Sequence, residues 1–361
     1  ILINAFFFLG ISVGSLFFLS LQNVTESSYM IVLKRVFEGI SQYIYVGSAI
    51  LLIVLIASLL GFNHIYHWMD PHTYTKVFED GTVNPDYDSI IAGKRPYLNQ
   101  IFFAIRTILT LGVWCWFANV FRKRSLEEDQ LGGTGFYYRN RTLSAIFLVF
   151  FGFTSTTSAW DWIMSIDTHW FSTLFGWYVF SGIWISAMIM IVLVTIYLQS
   201  RGYLEVVNKS HIHDIGKWMF ACSFLWSYLW FSQFELIWYS NMPEDVVYFV
   251  TRIDHYPVLF FGMFFVNFIF PMVILMARNA KRMIGYLIFV GALIFVGHWV
   301  DVYVMVIPGV LGVDWHIGFL EIGGFIGFLG LFLFIVFNGL TKAPLVVKNH
   351  PYLEESKHLH I

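Results

Sequence analysis

The sequence predicts an all-α, polytopic bundle of membrane-spanning helices, and three observations carry that prediction. The first is composition. Hydrophobic residues make up 58% of the 361 positions and charged residues only 12%, where a soluble domain carries about 25% charged. Too little polar surface exists to cover such a chain in water. The second is pattern. Crossing the hydrocarbon core takes roughly 20 apolar residues, and such runs recur near 1–21, 38–62, 99–121, 142–161, 171–198, 216–240, 258–277, 283–306 and 316–339. They are continuous rather than alternating, which argues against a barrel. The third is charge placement, because Lys and Arg favour the cytoplasmic side. Lys34, Arg35, the basic residues of 122–141 and 201–217, Arg278, Lys281, Arg282 and the Lys residues of the tail fall in alternate connections. They are 16 of the 21 Lys and Arg. Nine spans with this alternation put the first visible residues outside and the C-terminus in the cytoplasm.

The chain reads as one integral membrane domain over 1–361, with a long outer loop at 63–98 and a polar cytoplasmic tail at 340–361. It begins at Ile1, already hydrophobic and without Met, so the expectation is that residues precede it. A net charge of −2 gives no sign of a nucleic-acid partner. Cys115 and Cys222 are far apart in apolar runs and read as small core residues. With no CxxC or CxxCH, the chain has no c-haem attachment motif and no iron–sulfur motif. The outer loop holds His64, His67, Asp70, His72, Glu79, Asp80, Asp86 and Asp88. His64, His67 and Asp70 have some look of a metal cluster, but His-x-x-His without a further fixed ligand is weak. The favoured reading is an aromatic interface segment beside Trp68.

A charge at bilayer depth costs several kcal/mol and marks function by default. The candidates for a proton path are Glu38 at the start of the second span, Arg106 in the third, and Asp161, Asp167 and His169 around the outer turn after the fourth. Glu235 lies near the outer end of the sixth span, where an interfacial position competes with a deep one; His298 and Asp301 lie in the eighth, and Glu321 in the ninth. His298 and Asp301 are three residues apart and share a helix face. Burial disfavours the charged form of each, which suits a proton relay; the plainer reading is a pair that only orients helices. Gln233 suits a helix–helix hydrogen bond. Arg106 requires an acidic or carbonyl partner. A haem-binding membrane cytochrome needs facing histidine pairs, and only His298 lies well inside a span. No cofactor is therefore expected in this chain. Any electron carriers must sit on partner subunits.

Three segments resemble a known family. They are Ser158–Tyr178 (SAWDWIMSIDTHWFSTLFGWY), Trp230–Asn241 (WFSQFELIWYSN) and the tail from Thr341-Lys342-Ala343-Pro344 to Glu354-Glu355-Ser356-Lys357. They are similar to the membrane subunits of alternative complex III, most of all to its ActF component, the quinol:cytochrome c oxidoreductase membrane protein. The likeness runs over essentially the whole chain. It implies a fold like the NrfD and polysulfide-reductase membrane proteins, with about ten helices. It also implies a place in the respiratory chain of a bacterial inner membrane, in a complex that oxidises menaquinol or another quinol. The implied partners are a paralogous sister membrane protein thought to hold the main quinol site, c-haem proteins, an iron–sulfur protein and membrane lipids. The ActF-like component would support assembly and proton translocation without a redox centre of its own. The competing readings are a secondary transporter, which usually shows matched helix breaks in two halves, and a purely structural anchor.

Overall fold

The structure, a computed structural model, describes residues 1–77 and 82–360. Glu79 and Asp80 lie outside the described residues. Among the described residues the architecture is all-α. The long helices are α1 (Leu2–Val24), α2 (Lys34–Ser41) running into α3 (Tyr43–Leu59), and, after the short α4 (Pro71–Tyr74) and α5 (Ser89–Lys94), α6 (Gln100–Leu131), α7 (Thr134–Trp162), α8 (Phe175–Ser200) and α9 (Lys209–Ser240). Then come α10 (Pro243–His255), α11 (Pro257–Phe264), α12 (Phe270–Leu275), α13 (Ile284–Leu311), α14 (Phe319–Thr341) and the short α15 (Leu353–Lys357). Helix α1 is the hub: it packs on α2, α3, α7, α8, α13 and α14. Its Phe8 is surrounded by Phe295, Phe325, Phe328 and Phe332.

Eight helical segments are long and apolar enough to cross a membrane. They match the expected spans except 216–240. That stretch lies in α9, a 32-residue helix whose many Trp, Tyr and Ser residues lower its hydropathy although its length suffices. The bundle has two ends. The loop end carries the 60–98 connection; the tail end carries residues 342–360.

Local sequence explains the boundaries. The Asn99 side chain accepts from Phe102 N at 2.9 Å to start α6. The Asn208 and His211 side chains form a reciprocal cap on α9. Gly132 and Gly133, with φ of 66° and 89°, take a conformation that L side chains resist, and they turn α6 into α7. This corrects one expectation. Arg122, Lys123, Arg124, Arg139 and Arg141 do not lie in a loop; α6 and α7 simply continue past the membrane-length core. Lys34 and Arg35 likewise lie within α2 and are buried. Pro271 lies four residues before the end of the Pro257–Leu275 span, where a ring without an N–H crowds the carbonyl four residues back. There the helix widens into a π turn over Phe265–Ile269.

The tail is strapped across its end of the bundle. Ser356 Oγ accepts from Val32 N at 3.2 Å, His211 Nε2 bonds Ser356 O at 2.9 Å, and Lys348 N donates to Asp129 at 2.9 Å.

Candidate functional site

Two kinds of buried polar group occupy this bundle. Ion pairs lie toward its ends, and a line of polar groups and small cavities runs inward between them. At the tail end, Glu38 Oε2 takes both Arg35 and Arg122 at 2.6 Å each. Arg35 also pairs with Asp129, and Lys34 pairs with Glu128 at 2.8 Å. The carboxylate at the start of the second span is thus a knot joining α2 and α6, and Arg122 adds the Gly339 carbonyl of α14 at 3.2 Å.

At the loop end, Arg106 of α6 grips Asp161 of α7 in a fork, Nε to Oδ2 at 2.6 Å and Nη2 to Oδ1 at 2.9 Å. Its remaining nitrogen donates to Tyr97 O at 3.2 Å. The required acidic partner and a carbonyl partner are both present. Asp161 opens the outer turn from the last turn of α7, as the sequence suggests, and is 2% exposed. Asp167 is in the turn, and it pairs with Arg252 of α10 at 2.9 Å. His169 bonds Asp88 at 2.5 Å. Burial acts against the Asp88 charge, but hydrogen bonds from His169 and from the Ile91 and Ile90 amides hold its carboxyl below the usual range.

Between these ends lies Asp301, 1% exposed. Among the described residues no cation lies at hydrogen-bond distance from it. Its donors are the Tyr178 hydroxyl of α8 and Trp226 Nε1 of α9 at 2.8 Å. His298 Nδ1 lies 3.6 Å from Oδ2, close enough to feel the charge but too far for a hydrogen bond. Neither His298 ring nitrogen has a hydrogen-bond partner among the described residues. The two side chains therefore meet, as the three-residue spacing predicts, but the bonds that hold Asp301 come from other helices. Gly182 packs beside the pair, where an added Cβ would make only ordinary contact, 3.5 Å from His298 Nδ1 and 3.8 Å from Asp301 Oδ2.

Small cavities flank Asp301. One has about 10 Å³ of space for a water centre and is lined by Tyr178, Gln233, Tyr248, Arg252 and Asp301 among others. The second, about 20 Å³, is lined by His298, Asp301, Gly182 and Ser186 among others. Space of this size and polarity suits about one water each. The first shares Tyr248 and Arg252 with a cleft of about 500 Å³ at the loop end, which also holds Asp167, His169, His67 and Glu244. Cleft, guanidinium, cavity, Asp301, second cavity and His298 thus follow one another inward.

The structure gathers Asp167, His169, Asp301 and His298 along this line and leaves out the rest. Arg106 and Asp161 form a separate clamp. Glu38 belongs to the tail end. Glu321 caps its own helix, accepting from Gly318 N at 2.8 Å. Glu235 faces outward, exposed on α9; its neighbour Gln233 is the buried one. Sequence reading missed Arg252, Tyr248, Tyr178 and Trp226. Arg252 is not among the 16 basic residues that mark the cytoplasmic side, yet it is 2% exposed. It stacks on Tyr248 at 3.3 Å and donates to the Tyr248, Val304 and Met305 carbonyls. A cation directly after an aromatic, amphipathic stretch was the available signal. The His64, His67 and Asp70 segment resolves as packing and capping. Trp68 is buried against Phe103, Tyr66 donates to Trp162 O at 2.8 Å, and Asp70 caps α4.

No family model matches this sequence, and no curated protein matches it.

Proposed function

We propose that the chain is a non-haem membrane component of a respiratory, quinol-oxidising complex of the alternative complex III type, and that it conducts protons beside the quinol-oxidising component. The observation that carries the proton part is Asp301. It is a buried carboxylate held by neutral donors, between two water-sized cavities, with an unbonded imidazole 3.6 Å away and a line of polar groups leading to a surface cleft. A carboxylate in a guanidinium fork is committed to that cation. One held by Tyr and Trp, beside His and two water-sized cavities, has neighbours through which a proton can pass. Protons would enter or leave through the cleft of Asp167 and His169, pass Arg252 and Tyr248 by way of water, and reach Asp301 and His298.

The electron-transfer part rests on the Trp-rich motifs. In this reading c-haems and iron–sulfur clusters belong to partner proteins, the membrane is a bacterial inner membrane, and the tail end is cytoplasmic. Purification from native membranes under mild detergent tests it. The expected result is a stoichiometric assembly showing c-haem absorbance and iron–sulfur signals, with quinol-dependent reduction. Isolation of the chain free of such partners would sink the proposal.

A further inference from the structure

Glu235, which the sequence places inside a span, has neither an ion pair nor a hydrogen bond among the described residues. It is exposed on α9, and the residues around it on that face are large and apolar. Phe224, Tyr228, Phe231, Glu235 and Trp238 follow at spacings of four, three, four and three, so they form one stripe along the helix. The four aromatic members are half-exposed or more. Glu235 lies about 8 Å along the axis inside the end of α9, and Tyr228 about 18 Å inside, at 1.5 Å per residue. Trp238 and Tyr239 lie outward of both, at the level where aromatic rings mark the membrane interface. The Glu235 carboxylate is therefore a turn deeper than the aromatic belt, and the Tyr228 hydroxyl is deeper still. Like Glu235, that hydroxyl has no hydrogen-bond partner among the described residues.

Facing lipid tails, both groups would be costly: the carboxylate for its charge, the hydroxyl for its unmet hydrogen bond. The same stripe has the 3-4 spacing by which one membrane helix packs along another. We propose that this face of α9 is the docking seam for a membrane-spanning helix of a different polypeptide, one that places an Arg or Lys against Glu235 and a polar side chain near Tyr228. The seam needs a membrane partner but not a quinol-oxidising one, so it stands or falls separately from the function above.

The test places the photo-cross-linker p-benzoyl-phenylalanine at Phe231 in native membranes, where an aromatic replaces an aromatic and Glu235 is untouched. The expected adduct maps by mass spectrometry to a spanning helix of another polypeptide that carries Lys or Arg near the linked residue. Glu235→Lys should lower co-purification of that polypeptide about tenfold or more, since like charges would face each other out of water. Reversing the mapped basic residue to Glu should restore it. Adducts to lipid alone, to a second copy of this chain, or to a helix with no basic residue overturn the seam. So does normal assembly of Glu235→Lys, or failure of the reversal to rescue it. A mapped partner whose assembly contains no haem and no iron–sulfur cluster supports the seam and removes the respiratory reading.

Discussion

Asp161 and Asp301 are buried to nearly the same degree, 2% and 1% exposed, yet their surroundings differ in kind. Asp161 receives two charge-assisted bonds from Arg106 in the fork geometry that fits guanidinium to carboxylate. Asp301 receives one hydroxyl and one indole N–H, with His298 standing off. Asp161 spends its charge on tying α6 to α7. Asp301 ties α13 to α8 and α9 more weakly and sits between two cavities. Burial alone thus does not distinguish the two; the charge of their donors does, and under the proposed function it makes Asp161 the structural clamp and Asp301 the working carboxylate.

The largest effect should come from breaking the clamp. Arg106→Ala leaves a buried, uncompensated carboxylate and should cost about 3–5 kcal/mol, seen as lower yield and a lower unfolding midpoint in detergent. Arg106→Ala combined with Asp161→Ala should recover most of that loss, because no orphaned charge remains. A single-variant loss below about 1 kcal/mol would show the pair to be no clamp.

Asp301→Asn should behave in the opposite way. The amide keeps an acceptor for one donor and misplaces its NH2 against the other, a cost of about 1–3 kcal/mol, so the bundle assembles. Under the proposed function, proton release or uptake per quinol should change while electron transfer persists. His298→Ala should give the same pattern with a smaller stability loss. Unchanged proton stoichiometry in a fully assembled complex would reduce Asp301 to a second structural aspartate and erase the contrast with Asp161.

How far the sequence reached follows the same division. Spans and alternation were legible because apolar length and Lys/Arg placement are local, one-dimensional signals. The need for an Arg106 partner was legible as well, since no buried guanidinium goes unpaired. That the partner is Asp161 was not, because 55 residues separate the two and only the α6–α7 packing joins them. Nor did the sequence reveal Tyr178 or Trp226 as the donors to Asp301. In a chain with 14 Trp and 19 Tyr, one polar tip turned inward looks like any interfacial ring. Glu235 shows the limit in another way. Its place near the outer end of the sixth span left interfacial and deep positions both open, and helix phase turns it outward and carries Gln233 to the inside.

The smallest effect concerns burial of a polar ring at the tail end, away from any span. His350 is 6% exposed and packs edge-on to Tyr137. Burial, with some help from Lys34, pushes its pKa down from 6.5 to about 3. The folded strap therefore holds a neutral imidazole, whereas the released strap binds a proton below pH 6.5. Between those two values the released form takes up more protons, so stability falls as pH falls. At about 1.4 kcal/mol per pH unit, roughly 2 kcal/mol is lost at pH 5 and essentially none at pH 7.5. In His350→Asn that slope disappears, and the difference from the native chain should narrow steadily as the pH drops from 7 to 5. Hydrogen exchange of the 347–357 amides reads the strap directly. Equal acid sensitivity in the two chains would mean that a neutral buried imidazole is not what makes the strap pH-dependent.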